Sequence, residues 1–260
     1  MTFTCPIHGD YEGEMVKTIH AIFDGTDEKE PEPCPLCIDE EERKFRERER
    51  IKDEKIERDT LKRKRKNWNI EPMYYDSTLD NYYPTTDVQR KAKTAIQNMI
   101  ETKSGKIVLL GKNGTGKTHL AICAVKELDG KILSMYEITT RIRATYTHNE
   151  KETELDVVDE LARLNMLAID EIGRTKGSDA ETNWLSYIID KRHTRGLPLI
   201  LISNKHLRKH CPKGGCQDCL DNYISEDIMS RLSEDGILIN LDGEDYRKTK
   251  RVNDKPGGVV

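Results

Sequence analysis

From about residue 87 the apolar positions follow two alternating rhythms. Val88 to Ile100 repeats at helical spacing, and Lys106-Ile107-Val108-Leu109-Leu110 is a short apolar run of the kind found in a buried strand. His119 to Leu128 returns to the helical period, and Lys131 to Tyr136 reads as a second strand. Residues 150–164 predict a helix, Asn165 to Asp170 a third strand, Ala180 to His193 a helix and Leu197 to Ser203 a fourth strand. Strands that alternate with helices imply an α/β fold, a parallel sheet with helices on both faces.

The chain before residue 87 has no such rhythm. Residues 39–66 hold 13 Lys/Arg and 10 Asp/Glu with no Gly or Pro, which favours a charged helix laced with i,i+4 ion pairs. Its apolar residues Phe45, Ile51, Ile56 and Leu61 trace no heptad stripe, so a solvated single helix is expected rather than a coiled coil. Residues 67–86 carry Trp68, Tyr74, Tyr75, Tyr82 and Tyr83 and are expected to form a linker that wraps onto the next domain. Residues 1–38 are turn-rich and form a separate amino-terminal module. The α/β part is expected to span 87–252, with a frayed tail at 253–260.

Composition sharpens this division. The 260 residues are 35% hydrophobic and 35% charged, so apolar material suffices for one core and leaves little for the first module. There is no apolar run long enough for a membrane span and no basic-then-apolar leader, which predicts a cytoplasmic protein with no membrane partner. Seven cysteines in that compartment point to metal rather than disulfides. A net charge of −4 excludes a chain that is basic throughout, and any nucleic-acid contact must use a local patch.

The strongest chemical signal is Gly111-Lys112-Asn113-Gly114-Thr115-Gly116-Lys117-Thr118, a full G-x4-G-K-[ST] between a predicted strand and a predicted helix. Glycines let successive N–H groups turn inward toward phosphate oxygens, and the helix N-terminus adds partial positive charge. Lys117 is expected to reach the β- and γ-phosphates of ATP, and Thr118 to hold Mg²⁺. Met166-Leu167-Ala168-Ile169-Asp170-Glu171 is an apolar strand that ends in two acids. Asp170 is expected beside the Mg²⁺ and Glu171 as the base for an attacking water, a pairing that favours hydrolysis. Asn204, after the fourth strand, is expected to sense the γ-phosphate and position the water if that strand lies between the two motif strands; the alternative is an asparagine favoured by the turn itself.

GKNGTGKTHL, LAIDEIG, LILISNK, DIMSRL and EDYR, in that order, resemble the AAA+ helicase loaders of the DnaC/DnaI type, with related IstB-like transposon ATPases sharing most of these motifs. The resemblance covers roughly 76–252 and implies a P-loop AAA+ (ASCE) sheet. It implies a loader that binds a DnaB-type hexameric replicative helicase and delivers it to single-stranded DNA, self-associating so that a neighbour's arginine completes each site. Arg231 matches one arginine of the DIMSRL segment, and Asp227 stands where relatives often carry another. Arg247 matches a late arginine that contacts phosphate.

Two cysteine clusters remain. Cys5, His8, Cys34 and Cys37 form a C-x2-H … C-x2-C set able to close a tetrahedron around Zn²⁺. Cys211, Cys216 and Cys219, with His206 or His210 as the fourth ligand, form a second candidate zinc site. Cys123 sits in an apolar helix and reads as core. Lys62-Arg63-Lys64-Arg65-Lys66 could contact phosphates with Trp68 stacking on a base, or could be a solvated helix end. Arg141 and Arg143 could line a DNA channel. The expected function is an ATP-dependent helicase loader. A transposition target-selection ATPase and a zinc-dependent nucleic-acid-binding adaptor with a vestigial ATPase are the alternatives.

Overall fold

A computed structural model of the 260-residue chain describes residues 1–147, 152–174, 178–234, 236–241, 243, 245 and 246. The chain divides into two compact units, residues 1–62 and the remainder from Arg63.

In the first unit, β1 (Thr2–Cys5) and β2 (Gly9–Glu12) pair antiparallel, as do β3 (Met15–Lys17) and β4 (Lys29–Pro31). Between β3 and β4 lies the short helix α1 (Ile19–Asp24), started by the Thr18 side chain, which accepts from the Ala21 N–H, and stopped by Gly25 in the left-handed region. Helix α2 runs unbroken from Pro35 to Trp68, so it begins earlier than its charge run and takes in Cys37. Its exposed surface carries i,i+4 pairs such as Arg46–Glu42 at 2.6 Å and Lys44–Glu40 at 2.8 Å, the pattern that the composition predicts. Among the apolar residues of this unit only Cys5, Ala21 and Cys34 are buried.

The second unit is a five-stranded parallel sheet in the order β6-β7-β8-β5-β9. Its strands are β5 (Lys106–Gly111), β6 (Lys131–Ser134), β7 (Leu167–Asp170), β8 (Leu199–Ser203) and β9 (Gly236–Leu241). One face packs on α3 (Asp87–Thr102) and α4 (Lys117–Glu127), where Ile96, Leu120 and Ala124 are fully buried. The other packs on α5 (Met135–Ala144), α6 (Glu154–Arg163), α7 (Asp179–Thr194) and α8 (Glu226–Glu234). Side chains alternate between the faces along each strand: Ile107 and Leu109 point into the α3–α4 layer, Val108 and Leu110 into the other. Cys123 is buried in the first layer, where burial pushes its thiol up to about 12.

Two departures from the sequence reading have local causes. The second strand stops at Ser134, because Ser134 and Glu137 form a reciprocal capping box that starts α5 at Met135. Trp68 is not available for base stacking: it is buried at 6% exposure, and its indole N–H donates to Asp129 Oδ1 at 2.7 Å. A wide indole at the end of a charged helix serves here as an anchor in the core with Ile70 and Tyr82. Trp68→Ala should therefore lower unfolding stability in urea by about 3–5 kcal/mol. Trp68→Phe should lose mainly the hydrogen bond, about 1 kcal/mol. Equal losses for the two variants would show that packing at this position matters little.

Candidate functional site

The sheet order puts β8 between β7 and β5, so the carboxyl ends of the three strands that carry candidate chemistry lie side by side. Ser203 pairs with Leu110, just before the glycine-rich loop, and Asp170 pairs with Ser134 on the far side. Gly111, Asp170 and Asn204 thus share one edge of the sheet, with Asn204 exposed.

The loop turns tightly into α4. Gly116 has φ +93°, and a Cβ there would come within 2.6 Å of Tyr82 Cε2. Gly114 has φ +77° and is covered by Asp245, while the Tyr246 N–H donates to Gly114 O at 3.1 Å. Only glycine fits both the torsion and the neighbour at each place. Lys117 is buried at 5% exposure, and its ammonium donates to Gly111 O and Lys112 O at 2.7 Å each. Its cation thus lies inside the curl of the loop. Thr115 is also buried and donates to Lys112 O at 3.0 Å.

Thr118 Oγ1 donates to Asp170 Oδ2 at 2.9 Å, and the Glu171 N–H donates to Asp170 Oδ1 at 2.6 Å. Burial raises the Asp170 carboxyl above the usual range, against the pull of these two donors. A hydroxyl and a desolvated carboxylate on adjacent elements are hard oxygen donors, the set that Mg²⁺ prefers, and they fit that ion. Glu171 follows at φ +60°, a torsion that non-glycine residues rarely take, and its carboxylate pairs with Arg174 Nη1 at 2.5 Å. The Ile172 N–H donates to Ile202 O at 3.0 Å, and Ser203 Oγ donates to Ile172 O at 2.6 Å, fixing the turn to the end of β8.

Arg231 lies elsewhere. Its backbone carbonyl accepts from Lys106 Nζ at 3.0 Å, and Lys106 opens β5 at the end away from the phosphate loop. Its guanidinium pairs with Asp190 on α7 and is 43% exposed. The structure does not bring it to this chain's own loop. Arg247 lies outside the described residues. Arg141 is paired with Glu152 at 2.6 Å and with Glu160, and Arg143 faces Glu181 at 3.9 Å. Such pairing leaves Arg141 poorly placed to line a DNA channel.

Cys5, His8, Cys34 and Cys37 bring one ligand atom each to within 4.8 Å of one another, as do His206, Cys211, Cys216 and Cys219. In the first set His8 Nδ1 is 3.3 Å from Cys37 Sγ, 3.7 Å from Cys5 Sγ and 3.8 Å from Cys34 Sγ. Zn–S of about 2.3 Å and Zn–N of about 2.0–2.1 Å at tetrahedral angles give edges of about 3.4–3.8 Å. Those separations fit a zinc ion. Backbone N–H groups of Ile7 and His8 hold the Cys5 thiol down at about 6, toward the thiolate that metal binding needs. His8 Nε2 faces Glu40 at 3.8 Å, an outer carboxylate of the kind that orients ligating histidines. His210 stays outside the second set, exposed on a single 3₁₀ turn.

Three partners at these sites were not legible from motifs: Tyr82 beneath Gly116, Asp190 beside Arg231, and Arg174 on Glu171. Gly173, two residues after Glu171, was the available sign of a tight turn there.

A parallel sheet in this order, with a glycine-rich phosphate loop after one strand and an Asp-Glu pair two strands away, defines a P-loop ATPase of the AAA+ type. Residues 41–254 match the family described as IstB-like ATP binding protein, and the chain belongs to that family. It is 27% identical over 171 residues to the replicative helicase loader DnaC of Escherichia coli strain K12, covering 63% of this chain and 65% of that one. It is 27% identical over 196 residues to the putative ATP-binding protein of insertion sequence IS5376 from Geobacillus stearothermophilus, covering 72% and 74%. A crystal structure of the DnaC helicase loader superposes with a TM-score of 0.56 at 20% identity, covering 66% of this chain and all of that chain. Among the described residues no helix is long and apolar enough to cross a membrane.

Proposed function

We propose that this protein is an ATP-switched loader that grips a DnaB-type hexameric helicase and delivers it to single-stranded DNA. In this scheme loop N–H groups and Lys117 bind the phosphates of ATP, and Lys117 exchanges the carbonyls of Gly111 and Lys112 for β- and γ-oxygens. Thr118 and Asp170 hold Mg²⁺, which supplies positive charge against the phosphates. Glu171 orients water and takes its proton as the water oxygen bonds to the γ-phosphorus and the bond to ADP breaks. Asn204 holds that water from the neighbouring strand, and Arg231 serves the site of an adjacent subunit. The exposed cations Lys62, Arg63, Lys64 and Lys66 are the proposed contacts to DNA phosphates.

The observation that carries the loader over a generic ATPase is the amino-terminal unit. It has almost no apolar core, yet its four candidate zinc ligands lie at tetrahedral spacing. Metal supplies the fold that burial cannot. Ile19, Ile22 and Phe23 on α1 stay exposed, Phe23 at 85%, which suits an apolar grip on a partner protein. The similarity to an insertion-sequence ATP-binding protein favours a second reading, target selection in transposition.

Pull-down from host extract with and without ATP separates them. The loader should recover a hexameric helicase, and the Cys34→Ser, Cys37→Ser double variant should lose at least tenfold of that capture while still binding nucleotide. Recovery of a transposase in place of the helicase would establish the second reading.

A further inference from the structure

Residues 205–225, between β8 and α8, take no part in the hydrolysis scheme, yet they are tied closely to the Glu171 turn. His206 and Cys219 form a parallel bridge, with the His206 N–H donating to Asp218 O at 3.2 Å and the Leu220 N–H to His206 O at 2.8 Å. Cys216 Sγ is 3.4 Å from His206 Nε2, Cys219 Sγ is 3.6 Å from it, and the two sulfurs are 3.9 Å apart. The Cys216 N–H points to Cys219 Sγ at 3.3 Å and the Asp218 N–H to Cys216 Sγ at 3.3 Å, the arrangement of a zinc knuckle. Cys211 completes the set, its Sγ lying within 4.8 Å of the other three ligand atoms.

This knuckle bears directly on the turn that holds Glu171. A Cβ placed on Gly173 would lie 3.2 Å from Tyr223 Cγ and 3.3 Å from Lys205 Cγ, so Lys205 and Tyr223 flank Gly173. Lys205 in turn pairs with Asp218, inside the knuckle, at 2.5 Å, and its ammonium lies 5.1 Å from the Tyr223 ring centroid. Tyr223 OH donates to Gln217 O at 3.1 Å. On the other side Leu207, Leu220 and Ile224 enter the core cluster that also contains Ile228 and Leu232 of α8. One short loop therefore touches the end of β8, the Glu171 turn and the base of the Arg231 helix.

We propose that His206, Cys211, Cys216 and Cys219 bind a second, structural zinc ion, and that the knuckle it closes braces the Glu171–Gly173 turn. Four protein ligands leave no open position, so the metal has no catalytic water. Without it the loop has only Leu207, Cys219, Leu220 and Ile224 as buried apolar residues to hold Lys205 and Tyr223 against Gly173. Glu171 occupies a left-handed torsion that needs such outside support. The consequence for hydrolysis rests on the role proposed for Glu171; the metal site itself does not.

Metal analysis and alkylation of the full chain test the site without any variant. Two zinc ions per chain are expected, with Cys211, Cys216 and Cys219 protected from iodoacetamide until a chelator is added. One zinc per chain, with those three thiols alkylated at the rate of a denatured control, would overturn the site. So would a mass loss showing a disulfide among them. The Cys216→Ser, Cys219→Ser variant should retain one zinc and lose amide-exchange protection at His206 and Leu220. For the brace, the same variant should lower kcat for ATP about tenfold with KM within twofold. Unchanged kcat in a variant that has lost the second zinc would overturn the brace. A wild-type chain with two zincs and no hydrolysis at all would refute the ATPase scheme and the brace, and leave the metal site standing.

Discussion

Glu171→Gln is expected to bind ATP as tightly as the parent and to hydrolyse it slower by a factor on the order of 10²–10⁴, the usual weight of a general base. The glutamine preserves the shape of the side chain and an oxygen for Arg174, so the turn at Glu171 should survive the change. Only the ability to accept a proton from water is lost. The existing partner offers little resistance to that task, because the Arg174–Glu171 pair is solvent-facing, with Arg174 71% exposed. Pairs of that kind contribute about 0–1 kcal/mol. Lys117→Ala should fail at the earlier step. Its ammonium sits buried in the loop, and without it the curl of the loop presents only neutral N–H donors to the phosphates. Equilibrium titration with a fluorescent nucleotide should show no saturable binding for Lys117→Ala and parental binding for Glu171→Gln, while phosphate release falls in both. Hydrolysis by Glu171→Gln at the parental rate would remove that carboxylate from the chemistry.

The parallel sheet was legible because its strands are continuous apolar runs buried on both faces, as in Leu199-Ile200-Leu201-Ile202. The phosphate loop was legible because only glycine meets its backbone torsions. What escaped the periodicity has specific causes. Strand β9 lies at the edge of the sheet, and its apolar run Ile237-Leu238-Ile239 is short and cut by the exposed Asn240. Helix α5 hides behind a strand that continues apolar into Met135 and Tyr136, and only the Ser134–Glu137 capping box marks the switch. The neighbours Lys64, Arg65 and Lys66 suggest base stacking as one role for Trp68, whereas its burial and its partner Asp129, far along the chain, leave it in the core. The two Cys/His clusters could be read in part. Spacing brings Cys216 and Cys219 together, but the choice between His206 and His210 depends on a bridge to Cys219 that no local pattern encodes.

Arg231→Ala should leave ATP binding by the isolated chain intact and depress hydrolysis in the assembled state by roughly 10³-fold or more, the scale of an arginine finger. Geometry motivates the expectation. Arg231 lies beside the opening residue of β5, whereas the phosphate loop follows the other end of that strand, so its guanidinium serves its own site poorly. A half-exposed guanidinium at that end is available to a neighbour's γ-phosphate, where it would meet charge that develops in the transition state. Mixing makes the claim stringent. Arg231→Ala subunits keep a complete loop, and Lys117→Ala subunits keep the finger, so a mixed assembly contains some interfaces with both. Hydrolysis should reappear on mixing two inactive preparations, and its absence in verified mixed assemblies would rule out action in trans. Asp190 provides the remaining control, since Arg231 pairs with it inside the chain. If Arg231 mattered only as a fold-stabilising partner, Asp190→Ala would reproduce the loss. As a finger, Arg231 must leave Asp190 to reach a neighbour, and Asp190→Ala should keep hydrolysis within a few-fold of the parent.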